Sequence, residues 1–100
     1  MTNLITKVSN TDGDYSALYL NGKLVFSEST IPAFELQDIT SKNQPFVIHD
    51  VEIEAEWLED EGGLYPNDLK EIPRSVVVLG DLDFKVSETN KPAKQKKLKP

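Results

Sequence analysis

The sequence predicts a small single α+β domain: an antiparallel sheet of about four to six strands with an N-terminal meander, one helix packed on it, and a disordered Lys-rich C-terminal tail. Three observations predict this. Two strand-like runs flank Asn21-Gly22, residues 50–57 alternate acidic and apolar side chains, and a helix-entry signal lies between them. The 38% of hydrophobic residues suffices for one small core, and a chain of this size hides roughly two-thirds of its unfolded surface on folding. We set the domain at residues 1–88 and the tail at 89–100.

Leu4, Thr6 and Val8 alternate with Ile5, Lys7 and Ser9, as a first strand requires. Residues 10–14, Asn-Thr-Asp-Gly-Asp, are dense in turn formers, and Gly13 is suited to positive φ. Residues 15–20 favour a pleated surface. Asn21-Gly22 then joins them to residues 23–27 through a type I′ turn, which needs positive φ at both central positions. Ser29 or Thr30 is suited to cap a helix, with Pro32 in its first turn and Glu35 complementing the dipole. Ile31, Phe34 or Ala33, Leu36 and Ile39 fit its expected apolar face imperfectly. The helix should stop near Lys42-Asn43, because Gln44 precedes Pro45.

Residues 46–57 have the cleanest period in the chain. Val51, Ile53, Ala55 and Trp57 fall on one side, and Asp50, Glu52, Glu54 and Glu56 on the other. Period two argues for one strand with a buried face and an acidic row in water. An acidic loop, Glu59-Asp60-Glu61, follows before Gly62-Gly63. A short helical turn is expected over residues 66–72, closed by Pro73. Residues 76–79 read as a strand. Leu82, Phe84 and Val86 continue it as a hairpin arm, or as the same strand past a bulge at Gly80.

The net charge is −6, from 17 acidic and 11 basic residues, but its distribution is uneven. Lys91, Lys94, Lys96, Lys97 and Lys99 lie in the last ten residues, leaving six basic side chains against all 17 acids in residues 1–90. The tail, with Leu98 as its one large apolar residue, cannot offset the entropy of ordering. It reads either as an electrostatic arm or as a solubilising end. Five lysines with no Arg or aromatic residue predict only weak, salt-sensitive attraction to nucleic acid. No Cys is present, which removes disulfides, thiolate metal sites and a cysteine nucleophile. No apolar run approaches a membrane span, and residues 1–7 lack a signal-peptide pattern. The expectation is a cytoplasmic protein with no membrane partner, a monomer or a homodimer.

No catalytic set emerges, and neither an enzyme activity, a cofactor nor a metal is expected. His49 stands beside Asp50, but strand neighbours point to opposite faces. A metal or enzymatic role around His49 is the alternative to a half-buried histidine with one hydrogen bond. Residues 10–14 resemble a fragment of a calcium loop, but the twelfth position is Asn21, where that loop needs Glu. Gly62-Gly63 sits among acids that repel phosphate. The aromatic residues are spaced as core residues, Tyr65 being the one expected to be exposed. What exceeds composition is a run of seven acids in twelve residues: Asp50, Glu52, Glu54, Glu56, Glu59, Asp60 and Glu61. Such a face predicts a non-catalytic module that docks a basic protein, in the extreme an inhibitor that imitates a nucleic-acid backbone. The alternative is an accessory nucleic-acid-associated protein that uses the tail.

Overall fold

Residues 2–84 are described by the computed structural model. The tail lysines, Val86 and the boundary near residue 88 lie outside them. Strand β1 (Asn3–Asn10), β2 (Ser16–Leu20) and β3 (Lys23–Glu28) form the expected antiparallel meander. The β2–β3 turn has φ of 51° at Asn21 and 88° at Gly22, as a type I′ turn demands. Asn21 also ties this turn to β1, its Oδ1 accepting the Leu4 N–H at 2.9 Å. In the β1–β2 turn, Asn10 Oδ1 accepts the Asp14 and Tyr15 N–H groups, and its amide donates to Asp14 Oδ1 at 2.8 Å.

Helix α1 (Ala33–Lys42) keeps the predicted bounds, but neither Ser29 nor Thr30 caps it. Pro32 occupies the cap position in an extended conformation, with no side-chain hydrogen bond to the first turn. Its carbonyl instead accepts the Glu35 and Leu36 N–H groups. The helix returns the chain to the end of the sheet where β3 began. Strand β4 (Phe46–Ile53) therefore runs parallel to β1, from Asn3 opposite Phe46 to Asn10 opposite Ile53. The sheet is thus mixed, in the order β3-β2-β1-β4-β5, with one parallel pair. The departure from an all-antiparallel sheet follows from the crossover: a helical connection sets parallel strands side by side, whereas a tight turn sets antiparallel ones.

The predicted single strand through Trp57 does not form. It ends at Ile53, and Ala55–Asp60 is helix α2. Three features stop the strand. Its neighbour β1 ends at Asn10, and the next N–H, Thr11, takes the Ile53 carbonyl. Thr11 Oγ1 then accepts the Ala55 N–H at 3.1 Å, supplying an N-terminal helix cap from a distant segment. At the other end, Gly62 has φ of 80°, its N–H bonds to Glu59 O, and Gly63 N–H reaches Leu58 O at 2.8 Å. This is a Schellman closure, in which glycine relieves the left-handed strain. Ala55 and Leu58, one turn apart, are buried.

Two short 3-10 turns follow, Leu69–Glu71 and Arg74–Val76, the first covering only part of the turn predicted over 66–72. Asp68 caps the first turn by accepting the Lys70 N–H, and Leu69 N–H bonds to Gly22 O, fastening this segment to the β2–β3 turn. Strand β5 (Val77–Leu79) pairs antiparallel with the end of β4. No strand follows over residues 82–84, which turn instead. Gly80 explains the break: its φ is +91°, and a Cβ there would lie 2.4 Å from Asp50 O.

The main core lies on one sheet face. Val8, Ala17, Tyr19, Val51 and Ile53 meet Leu58 of α2 and Tyr65, Leu69 and Ile72 of the following segment. On the other face, Ile5 and Leu18 are buried, and α1 lies against the β2–β3 side.

Candidate functional site

The seven predicted acidic residues do not form one row. Strand parity places Asp50 and Glu52 on the face opposite Val51 and Ile53, in register with Lys7 and Ser9 of β1. Glu54 is the cap residue of α2, and Glu56, Glu59 and Asp60 project from that helix. Glu61 closes it, its N–H shared among the carbonyls of Trp57, Leu58 and Glu59. Because Leu58 belongs to the main core, α2 packs on the side of the sheet away from Asp50 and Glu52. The structure therefore makes two acidic groups: a strand pair and a helix cluster of five.

Six of the seven carboxylate residues are exposed, and Glu52 is half-buried. The ion pairs among the described residues are Lys23–Asp68, Lys42–Asp38 and Arg74–Asp83, and none involves the seven. Lys7 faces Asp50 across the ladder without closing an ion pair. The helix cluster works against its own helix. Glu56 precedes Glu59 by three positions and Asp60 by four, spacings at which like charges repel. The last turn of α2 contains no basic residue, although cations are favoured at that end of the dipole.

His49 lies on the core side of β4, half-buried. Its Nε2 accepts the Asp81 N–H at 3.1 Å, and its ring stacks on Phe84 with centroids 4.3 Å apart. The imidazole thus pins residues 81–84 over the sheet. Asp50 is not part of this arrangement. No cluster of three or more His, Asp or Glu side chains suited to a metal occurs among the described residues.

Tyr65 is buried rather than exposed. Its hydroxyl donates to Tyr15 O at 2.9 Å, and the two rings stack at 5.5 Å. The adjacent Pro66 carbonyl accepts the Tyr19 hydroxyl at 2.6 Å. Burial pushes both the Tyr19 and the Tyr65 phenol well above the ordinary tyrosine value. At the sheet's opposite end, the Lys23 ammonium donates to Asp68 at 2.9 Å. This hydrogen bond holds the Asp68 carboxyl below the usual carboxylate range and raises Lys23. An open cleft of about 510 Å³ includes this pair in its lining, with Leu4, Leu69, Leu82 and Phe84 as its large apolar residues.

The sequence reading missed Phe46 and Ile48, which remain 37% and 39% exposed on the same sheet face as Asp50. Their alternation with Val47 and His49 was visible, but which sheet neighbour would cover them was not. No helix among the described residues is long and apolar enough to cross a membrane. Comparison of the chain with protein-family models, with curated proteins and with solved structures gives no match.

Proposed function

We propose that this chain is a non-catalytic interaction module that docks a basic protein on the acidic β4–α2 segment, with the helix cluster Glu54, Glu56, Glu59, Asp60 and Glu61 as the principal contact. One observation supports the reading. Seven carboxylate residues fall between Asp50 and Glu61, six of them exposed and none in an ion pair with another described residue. Their mutual repulsion costs stability, and the chain places no lysine among them to relieve it. A basic partner would supply the missing countercharge, and the uniform sign would speed its approach and turn away acidic competitors.

The triple variant Glu56→Lys, Glu59→Lys, Asp60→Lys tests this. Captures from the native host with the wild-type chain and with the variant are compared at low and high salt. The expected outcome is a basic protein retained by the wild type at low salt, released at high salt and absent with the variant, while the variant unfolds at no lower temperature. Screening over roughly 8 Å at physiological ionic strength makes the salt response steep. Equal retention by both chains ends the proposal. If the partner binds nucleic acid, competition by duplex DNA for the same partner distinguishes an inhibitor of the backbone-imitating kind from a simple adaptor.

A further inference from the structure

Strand β4 has a backbone edge that the other described residues leave open. It is eight residues long, but β5 pairs only with its end, Glu52 with Leu79 and Ile53 with Val77. The bonds from Asn3 N–H to Pro45 O and from Thr11 N–H to Ile53 O set the phase of the parallel ladder. Successive residues of a strand direct their N–H and C=O to opposite neighbours. Residues 47, 49, 51 and 53 therefore bond to β1, while Phe46, Ile48 and Asp50 direct theirs outward. Gly80 packs over the Asp50 carbonyl. Among the described residues, no backbone group pairs with Phe46 or Ile48 on that side.

Sheets usually blunt such an edge with Lys, Pro or a bulge. Here Pro45 bounds one end and Gly80 the other, and the window between them carries two exposed apolar side chains followed by an exposed carboxylate. We propose that the outer edge of β4 at Phe46 and Ile48 accepts an extended segment of the basic partner as an added antiparallel strand. Two of its side chains are apolar, opposite Ile48 and Phe46, and a Lys or Arg lies opposite Asp50. This rests on the reading that the partner is basic, and it gives the partner a sequence pattern. Strand addition draws affinity from main-chain hydrogen bonds and selectivity from alternate side chains. Charge selects this occupant over a second copy of the chain. Self-pairing would bring together two bodies of net charge −6 and, in an antiparallel pair centred on Ile48, would set Phe46 rather than a cation opposite Asp50.

The test uses the full chain, labelled for amide exchange, and the synthetic peptide acetyl-Thr-Lys-Thr-Val-Thr-Ile-Thr-amide. Saturating peptide is expected to slow exchange at the Phe46 and Ile48 amides about tenfold or more. The same peptide N-methylated at its valine keeps its charge but loses the edge bond, and it should give no protection. Ile48→Lys, at an exposed position, should abolish the effect with the fold unchanged. Protection that survives in the triple α2 variant supports the edge even if docking on α2 fails. Peptide binding that perturbs only Glu56, Glu59 and Asp60 overturns the edge and leaves the docking proposal standing. Amides already protected without peptide mean that the edge is occupied, by a second copy if protection grows with concentration and by the chain's own residues if it does not. Either result overturns the inference, as does an absence of binding.

Discussion

The two faces of the sheet are covered by different means. On one, Val8, Ala17, Tyr19, Val51 and Ile53 are closed off by α2 and by the segment carrying Tyr65, Leu69 and Ile72, and every one of these side chains is buried. Two tyrosine hydroxyls find carbonyl partners within that cover. On the other, α1 contributes no buried residue, Phe34 is 67% exposed, and a crevice of about 190 Å³ separates the helix from Leu18, Leu20 and Phe26. The short helix α2 and the irregular segment after it seal their face better than the longer helix α1 seals the other. Burial depends on how many apolar side chains reach the interface, and α1 spends half its circumference on Glu35, Gln37, Asp38 and Lys42. Among the described residues the cover on this face stops short of β4 and leaves Phe46 and Ile48 exposed.

The largest expected effect separates these faces directly. Ile53→Ala, at a fully buried position, should cost about 2–5 kcal/mol, a large share of a small domain's stability. Ile39→Ala, at the half-buried face of α1, should cost about 1 kcal/mol, since less area is lost from an already open contact. Urea unfolding of both variants measures the difference. Equal losses would mean that the two faces are equally packed.

A smaller effect comes from the buried phenols. Both Tyr19 and Tyr65 ionise less readily in the folded chain than in the unfolded one. Their contribution is therefore complete below the ordinary tyrosine value of about 10 and is lost as pH rises beyond it. Tyr19→Phe should lower stability near neutral pH by about 1 kcal/mol through the lost bond to Pro66 O and should make the alkaline decline shallower. Unfolding curves between pH 8 and pH 12 test both halves of that statement.

The smallest effect concerns α2. Asp60→Asn removes one charge from the helix end where the dipole is negative and one repulsion with Glu56. It should raise stability by about 0.3–1 kcal/mol while weakening capture of the basic partner. A fall in melting temperature would show that the carboxylate makes a favourable contact within the fold.

Local chemistry made much of this fold legible. The meander followed from Asn21-Gly22, and the bounds of α1 from Pro32 and Pro45. The fold class followed as well, apart from the direction of one strand pair. Residues 54–60 were not legible as a helix, because Ala55, Trp57 and their acidic neighbours satisfy period two as well as a single helical turn. Gly62 was the available signal, since a glycine there closes a helix as readily as it opens a loop. Tyr65 was misplaced for a related reason. Beside Pro66 in a loop it looked exposed, but its hydroxyl and ring find their partner in Tyr15, fifty residues away in the chain. The candidate site was legible as a list of acids and not as an arrangement. Its division into Asp50 with Glu52 and the five residues of α2 depends on where β4 loses its neighbour.

By itself the sequence determined the charge excess, the turns, the first three strands and the extent of α1, because each rests on side-chain chemistry within a few residues. Tertiary structure alone decided that β4 lies parallel to β1, that the alternating acids part at Ile53, and that no other described residue pairs with the outer edge at Phe46 and Ile48. The physical reason is that a strand persists only while a neighbour pairs with it. Which neighbour is present, and for how many residues, is a property of the assembled sheet.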